Sequence, residues 1–153
     1  MEKDLYNIAV KVFLEDGKRS SRRLGNLLIT KDRFGSFDLP GGRLLPDEFS
    51  VPLEKVVERK IKEELGSEVR YILGAPVVFM RHERDEILSD GKKEKRRIFA
   101  IGYKALYQGG DIVLGKNHES YAWIPLENLQ PEKYFTGGWL EGVKEYLTTF
   151  QHS

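Results

Sequence analysis

The residues that most directly suggest chemistry are two adjacent acids, Glu63 and Glu64, in the segment KIKEELG. On an α-helix, positions three and four residues apart share a face, so Lys60 points to the same side as both carboxylates. Adjacent carboxylates repel each other unless a positive group lies between them. Two interpretations follow: an exposed turn in which the acids pair with Lys60, Arg59 or Lys62, or a site in which they bind a cation.

A glycine-rich segment before these acids favours the cation site. In LPGGRLLPDE, Gly41 and Gly42 follow a proline, and without Cβ atoms their backbone groups can approach a ligand closely. Backbone and carboxylate oxygens are the ligands preferred by a hard divalent cation, and magnesium in turn binds phosphate oxygens. The sequence therefore predicts a Mg²⁺ site, with Mn²⁺ as the alternative ion, that serves a phosphate-bearing ligand.

A predicted helix presents the two acids. Its apolar residues recur every four positions: Leu53, Val57, Ile61 and Leu65. This spacing places them on one face and predicts a helix from Val51 onward. Ser50 is the expected N-cap, Pro52 is expected in the first turn, and Gly66 is expected to end the helix. The apolar face should pack on the core and leave the acids outside it.

Alternating apolar residues predict the strands that surround this helix. The segments YNIAVKVFLEDG and GNLLIT precede it, and the segments ILGAPVVFM and RRIFAIGYKALY follow it. The last two flank Ser-Asp-Gly-Lys at residues 89–92, a turn sequence typical of a hairpin. The segment SYAWIPLENL then predicts a short strand and a helical turn.

A second amphipathic helix is predicted in the last segment. Its apolar residues have helical spacing: Trp139, Leu140, Val143, Tyr146, Leu147 and Phe150. The order of elements, strands then helix then strands then helix, predicts an α+β fold with a mixed sheet and helices packed on it.

Length and composition predict a single domain over residues 1–153. A chain of 153 residues with 40 % hydrophobic content is long enough for one well-buried core and short for two. The net charge of +1 gives no general attraction to nucleic acid or to an acidic membrane. No cysteine is present and no stretch approaches the roughly 20 apolar residues of a membrane span, so we expect a cytoplasmic protein without disulfides.

The segment GGRLLPDEFSVPLEKVVERKIKEELGS resembles the signature box of the Nudix hydrolases, written GX5EX7REUXEEXGU with U an aliphatic residue. The residues that match the box are these: Gly42, Glu48, Arg59, Ile61, Glu63, Glu64 and Gly66. The resemblance implies an α/β/α sandwich with a mixed β-sheet between helices. It also implies a magnesium-dependent hydrolase that cleaves a nucleoside diphosphate linked to another moiety, such as a nucleotide or a sugar.

The segment departs from the box at three places. Ten residues separate Glu48 and Arg59 where the family has seven, and Ser67 replaces an aliphatic residue. The extra residues precede the helical spacing, so they can loop out without turning the acids off their face. More serious is Lys60, which replaces a glutamate that in the family helps to bind metal or activate water. Its long stem can move the ammonium towards solvent or a phosphate, but the missing carboxylate leaves a second interpretation: a catalytically impaired Nudix-fold module that binds a nucleotide or a protein.

The segment KNHESYAW resembles the GDP-mannose mannosyl hydrolase branch of the same family, which also lacks the glutamate after the box arginine. That resemblance implies three ligands for the metal ion: the Gly41 carbonyl, Glu64 and Asn117. It further implies that Arg43 binds the diphosphate, that His118 is the general base, and that His82 lies near the leaving group. An imidazole suits the base role because its ordinary pKa of about 6.5 leaves it mostly neutral at physiological pH.

The predicted site therefore contains three groups of residues. The catalytic residues are Glu63, Glu64, His118 and Arg59. The substrate-binding residues are Arg43 and His82. The metal ligands are Gly41, Glu63, Glu64, Asn117 and Glu119. Glu119 enters as the late carboxylate that many Nudix enzymes place on the metal, and it competes with His118 for that part of the site.

Structural alternatives stay open for several of these residues. His118 could bond to the backbone at a hairpin end, and His82 could lie on the surface. Arg43 could pair with Asp47 or Glu48. The basic run KKEKRR is either a solvated hairpin arm or a lid that attracts phosphate. The expected partner is a small-molecule nucleoside diphosphate derivative, with no membrane or nucleic acid, and oligomer formation stays open.

Overall fold

The computed structural model of the chain describes residues 1–17 and 25–149. In these residues seven strands form one mixed sheet: β1 (Asn7–Glu15), β2 (Asn26–Lys31), β3 (Phe37–Asp38), β4 (Gly41–Arg43), β5 (Arg70–Ile87), β6 (Lys93–Gly109) and β7 (Ser120–Pro125). The same residues contain two α-helices: α1 (Leu53–Leu65) and α2 (Gly137–Thr148). Short 3₁₀ turns lie at Pro46–Glu48, Leu126–Asn128 and Pro131–Lys133. The predicted strands and helices are confirmed, and Phe150 of the second helix lies outside the described residues.

The strand order places β1 at the centre of the sheet. Along the main path the order is β3-β2-β1-β6-β5, with β4 paired to β1 and β7 paired to β2. β1 runs parallel to β6 over its whole length, from Asn7 opposite Ile98 to Glu15 opposite Leu106. The other strand pairs are antiparallel. Successive side chains of β1 face opposite sides of this sheet.

Helices pack on both faces of the sheet. On one face alternate residues of β1 meet the apolar stripe of α1: Val10, Val12, Leu14, Val56, Val57, Ile61 and Leu65. On the other face the intervening residues of β1 pack against α2: Ala9, Phe13, Val143 and Tyr146. Neither described helix has the length and apolar content needed to cross a membrane. The predicted α+β sandwich, with a mixed sheet between helices, is confirmed.

The two ends of α1 differ in how closely they follow the prediction. The helix begins at Leu53, and Pro52 is its N-cap, with φ −55° and ψ 140°. The prediction that Ser50 caps the helix and that Pro52 lies in its first turn is wrong. Helical geometry is disfavoured for the residue before a proline, so Val51 stays outside the helix and Ser50 cannot be its N-cap. Gly66 ends the helix as predicted, with φ 93°.

β5 and β6 form the predicted hairpin. Both strands extend beyond the apolar segments from which they were predicted and include charged residues near the turn. The turn between them is closed by a hydrogen bond from the Leu88 amide to the Lys92 carbonyl (2.8 Å). All but the first residue of the basic run lie in β6, where Lys95 is opposite Asp85 and Arg97 donates a hydrogen bond to Glu83 at 2.9 Å. This placement agrees with the interpretation of the run as a solvated hairpin arm.

Ile61 anchors the helix that carries the acids, and its side chain is 1 % exposed. Ile61→Val is expected to lower the free energy of unfolding by about 0.5–1.5 kcal/mol, because the core only partly fills the space left by the deleted group. Ile87→Val deletes the same group from a side chain that is 79 % exposed. That control should change stability by less than about 0.5 kcal/mol. Chemical denaturation measures both, and equal effects would contradict the packing of α1.

Candidate active site

A glycine bend at the start of β4 brings backbone groups against the acids of α1. Gly41 has φ 145°, and a Cβ at this position would lie 2.1 Å from the Val10 carbonyl oxygen, so only glycine fits. The Gly41 amide donates a hydrogen bond to Glu64 Oε1 at 2.8 Å. The bend and the second acid therefore meet, although 23 positions separate them in the sequence.

The other carboxylate oxygen of Glu64 faces His118. His118 Nε2 lies 3.3 Å from Glu64 Oε2, and the histidine side chain is only 10 % exposed. The hydrogen bond to Glu64 raises the pKa of His118 and outweighs the opposing effect of burial. Nδ1 of the same ring is buried and has no hydrogen-bond partner in the described part of the chain. The predicted base and a predicted metal ligand thus lie side by side.

Arg59 ties one acid of the pair to the segment before α1. Its guanidinium donates two hydrogen bonds of 2.7 Å to Glu48 and one of 2.9 Å to Glu63. A longer contact of 3.4 Å reaches the Arg43 carbonyl, directly after the glycines. The Arg59 donors hold the pKa of Glu48 below its ordinary value. Arg59 therefore positions Glu63 and the bend, and it engages both carboxylate oxygens of Glu48.

Lys60 lies in the gap between the acids and the bend. Its ammonium is 3.1 Å from Glu63 Oε2 and 3.9 Å from Glu64 Oε2, and the side chain is 18 % exposed. Its stem lies over Gly42, where a Cβ would come within 2.5 Å of Lys60 Cε. Burial disfavours ionisation of Glu63, but Arg59 and Lys60 outweigh it and lower the pKa. Of the two positions expected for the ammonium, towards solvent or towards a phosphate, the structure does not show the first, because the two carboxylates hold the lysine inward.

The segment before β7 brings Asn117 and His118 to the acids. Both residues line a cavity of about 240 Å³ together with Glu63 and Glu64. Glu119 is exposed, is not among the residues that line this cavity, and donates its amide to a carbonyl of β2 at 2.7 Å. A turn precedes these residues, in which the His118 amide donates a hydrogen bond to the Gly115 carbonyl at 3.1 Å. His118 thus reaches the acids, whereas the Glu119 side chain, although predicted as a metal ligand, does not line the cavity.

Arg43 lines a second cavity, of about 330 Å³, beside the glycine bend. Its guanidinium lies 2.8 Å from Glu86 Oε1. The ionic partner is thus a residue of the hairpin, rather than Asp47 or Glu48 as the alternative interpretation held. Arg43 is close enough to the bend to meet a ligand bound there.

His82 anchors the start of α2. Its ring stacks on Trp139 with centroids 4.6 Å apart, and its Nδ1 accepts a hydrogen bond from the Gly138 amide at 3.1 Å. Burial lowers the pKa of His82, which favours the neutral ring that can accept this bond. His82 is therefore partly buried against Trp139 rather than free on the surface, and it is not among the residues that line the cavities at the acids and beside the bend.

The cavity beside the bend is basic. Four positively charged side chains line it: Lys11, Arg43, Lys60 and Arg84. Lys11 is a buried residue of β1 whose ammonium donates to Asp38 at 2.8 Å and lies 5.1 Å above the Trp139 ring. Sequence reasoning missed Lys11, although a lysine inside an otherwise apolar strand segment was the available signal. Together these cations suit an anionic ligand such as a diphosphate.

A third cavity, of about 630 Å³, has an aromatic wall. Its aromatic residues are Phe37, Tyr134, Phe135 and Trp139. The Phe37 and Tyr134 rings meet edge to face with centroids 5.1 Å apart. All three cavities are lined by Asn117. Because they share lining residues, the three cavities are neighbours. We refer to them together as the cleft, with an acidic part (240 Å³), a basic part (330 Å³) and an aromatic part (630 Å³).

The acidic part offers oxygen ligands to a divalent cation. In the described residues no three His, Asp or Glu side chains form a cluster that could hold a metal ion on their own. The two acids of α1 would therefore need the amide oxygen of Asn117 and a backbone oxygen of the bend. Such a mixed oxygen set suits magnesium. The Lys60 ammonium, within 3.1 and 3.9 Å of the two carboxylates, already stands where a cation is favoured.

Known families and structures match most of the chain. The NUDIX domain family matches residues 5–140. Nucleoside triphosphatase NudI from Escherichia coli O81 (strain ED1a) is 27 % identical over 95 residues, which are 62 % of this chain and 65 % of that protein. The match thus spans less than two-thirds of the relative's length.

Solved structures show the same fold. The MutT protein from Methanosarcina mazei Go1 superimposes with a TM-score of 0.67 at 22 % identity, covering 99 % of this chain and 97 % of that chain. An ADP-ribose pyrophosphatase from Streptococcus suis 89-1591 has a TM-score of 0.62 at 15 % identity, covering 95 % of this chain and 92 % of that chain. Both structures therefore share the sandwich fold with this chain over nearly its whole length.

Proposed function

The chain belongs to the NUDIX domain family, and from this premise we propose that it is a magnesium-dependent hydrolase of nucleoside diphosphate derivatives. The observation that carries the proposal is the double contact of Glu64, with the Gly41 amide at 2.8 Å and with His118 at 3.3 Å. One carboxylate thereby joins the glycine bend, the acidic part of the cleft and a group able to accept a proton. Hydrolysis of a diphosphate derivative is promoted by a bound cation and a positioned proton acceptor that act together.

The acidic part of the cleft is the proposed metal site. Its ligands would be Glu63, Glu64, Asn117 and the Gly41 carbonyl, with Mn²⁺ as the alternative to Mg²⁺. When bound, the ion would supply positive charge that draws electron density from the phosphate oxygens. Arg59 supports this role by holding Glu63 through a hydrogen bond of 2.9 Å.

His118 is the proposed general base and the basic part of the cleft is the proposed diphosphate site. A proton taken from water would move to the imidazole, and Glu64 beside it would stabilise the imidazolium. Arg43 and Lys11 would offset the charge of the diphosphate. Attack of the water at phosphorus releases a nucleotide and a phosphorylated remainder. Attack at a sugar carbon releases free sugar and leaves the diphosphate whole.

The aromatic part of the cleft is the proposed nucleoside site. Its volume of about 630 Å³ lies within the range of roughly 300–1,000 Å³ common for small-molecule sites. The Tyr134 and Phe37 rings on one side and Trp139 nearby offer faces and edges for stacking on a base. The substrate would thus run from the aromatic part, through the basic part, to the acids.

Tyr134→Ala is expected to raise KM roughly tenfold with little change in kcat, because stacking on a base contributes about 1–3 kcal/mol. Steady-state kinetics on the best substrate measures the effect. Tyr121→Ala is the matched control, since Tyr121 lies in β7 and is 41 % exposed. An unchanged KM in Tyr134→Ala would contradict the nucleoside site.

A substrate panel tests the proposed function. Purified protein is incubated with Mg²⁺ and with nucleoside triphosphates, dinucleotides and nucleotide sugars, and the products are separated by anion-exchange chromatography. We expect turnover of at least one member, lost when the metal is chelated. Turnover no higher than that of the Glu64→Gln variant for every member would count against the proposal. The products also distinguish attack at phosphorus from attack at carbon.

Lys60 favours a second candidate function, a binding module without turnover. Its ammonium lies 3.1 Å from Glu63, in the gap where the metal would be bound. A module of this kind predicts that nucleotides raise the thermal unfolding midpoint while no substrate is consumed. It also predicts that Lys60→Glu restores hydrolysis. Turnover by the unmodified chain would exclude this candidate.

A further inference from the structure

Lys60 is held in one place by the site that surrounds it. Its side chain is 18 % exposed, its ammonium contacts both acids, and its stem lies over the Gly42 backbone. Another lysine of α1 shows the contrast, because Lys62 is 59 % exposed and pairs with Glu58 at 3.4 Å. Lys60 thus belongs to the site, whereas Lys62 belongs to the solvent-facing side of the helix.

Positive side chains already pair with both acids of α1. Glu63 accepts hydrogen bonds from Arg59 at 2.9 Å and from Lys60 at 3.1 Å. Glu64 faces Lys60 at 3.9 Å and His118 at 3.3 Å. Arg59 also pairs with Glu48, so three carboxylates share two permanent positive charges before any metal ion binds. A divalent ion bound between Lys60 and the acids would lie close to the Lys60 ammonium. The two positive charges would repel each other, and this repulsion would weaken binding of the ion.

Lys60 also joins two parts of the cleft, since it lines both the acidic part and the basic part. We propose that the Lys60 ammonium permanently occupies a cation subsite between the two acids and the glycine bend. The unmodified chain then binds fewer divalent ions, or binds them more weakly, than a variant that has an acidic residue at position 60. The inference rests on the proposed function in one respect, namely that the acidic part of the cleft binds a divalent ion.

Direct binding of Mn²⁺ to the purified chain tests this inference. The number of bound ions and the Kd are measured by electron paramagnetic resonance of free Mn²⁺. Lys60→Glu reverses the charge, and Lys60→Met removes it while keeping a long unbranched side chain. Lys62→Glu is the matched control, because it makes the same charge change on the same helix. Circular dichroism checks that each variant is folded.

We expect Lys60→Glu to gain one Mn²⁺ per chain or to lower the Kd at least about tenfold, and Lys60→Met to lower the Kd by a smaller factor. Lys62→Glu should stay within about threefold of the unmodified chain, because its charge is exposed and screened. Mg²⁺ should also raise the unfolding midpoint of Lys60→Met more than that of the unmodified chain. An unchanged ion count and Kd in Lys60→Glu, or an equal change in Lys62→Glu, overturns the inference.

Failure of this inference and failure of the proposed function give different results. If the unmodified chain hydrolyses a substrate and Lys60→Glu binds Mn²⁺ as the unmodified chain does, only the inference fails. If no substrate is consumed and Lys60→Glu gains an ion or binds Mn²⁺ more tightly, the hydrolase proposal fails and the inference stands. Metal binding and turnover are measured on the same preparations, so the two outcomes can be compared directly.

Discussion

Glu64→Gln is expected to lower kcat by about 10²–10³-fold or more, in the range found when one preorganised electrostatic group is removed. The fold should be preserved, because the glutamine amide oxygen can still accept the hydrogen bond from the Gly41 amide, now 2.8 Å from Glu64. What is removed is the negative charge beside His118 and in the acidic part of the cleft. Single-turnover and steady-state rates at saturating Mg²⁺ measure the loss.

The matched control is Glu54→Gln, which makes the same change in the first turn of α1, where Glu54 is exposed. It should leave kcat within about twofold, since an exposed charge far from the cleft is screened. Thermal unfolding of both variants checks that the fold is unaffected. A Glu64→Gln enzyme that keeps its rate would remove Glu64 from the proposed mechanism and would leave the acidic part of the cleft without a role.

His118→Gln is expected to lower kcat/KM by about 10²–10⁴-fold, the usual contribution of a positioned general base. Glutamine keeps an N–H that can donate to Glu64, so the carboxylate retains a partner, but its amide cannot take up a proton near neutral pH. The loss should therefore be in the chemical step, with little change in the unfolding midpoint.

Glu119→Gln is the comparison for this prediction, because Glu119 is the neighbouring residue and the rival predicted from the sequence. Glu119 is exposed and is not among the residues that line the acidic cavity, so the substitution should change kcat/KM by less than about threefold. A larger loss in Glu119→Gln than in His118→Gln would reverse the two roles. It would also require the segment before β7 to rearrange when substrate or metal binds.

Local patterns in the sequence were enough for the elements that carry the site. The four-residue spacing of Leu53, Val57 and Ile61 determined which face of α1 is buried, and with it the face that carries the acids. This works because helical periodicity depends only on neighbours along the chain. Local patterns nevertheless gave a wrong start for α1. Ser50 is a favourable N-cap residue, but helical geometry is disfavoured for Val51 because it precedes Pro52, and the helix begins at Leu53.

The glycine bend could also be predicted from the sequence, because the requirement for glycine depends only on the local backbone conformation. Gly41 has φ 145°, a backbone conformation that other residues rarely adopt, and a pair of glycines after a proline signals such a bend. The sequence therefore indicated a bare backbone segment and a pair of acids. Their contact through a 2.8 Å hydrogen bond became visible only in three dimensions.

Only the tertiary structure decided which partners the charged side chains take. Lys60 is directed inward because the bend and both acids surround it, although its stem is long enough to reach solvent. Lys11 is buried beside Asp38, 27 positions away, and β7 pairs with β2 so that His118 rather than Glu119 faces Glu64. Spacing along the chain determines the face on which a side chain lies, whereas its partner comes from elements distant in sequence that packing of the sheet brings close.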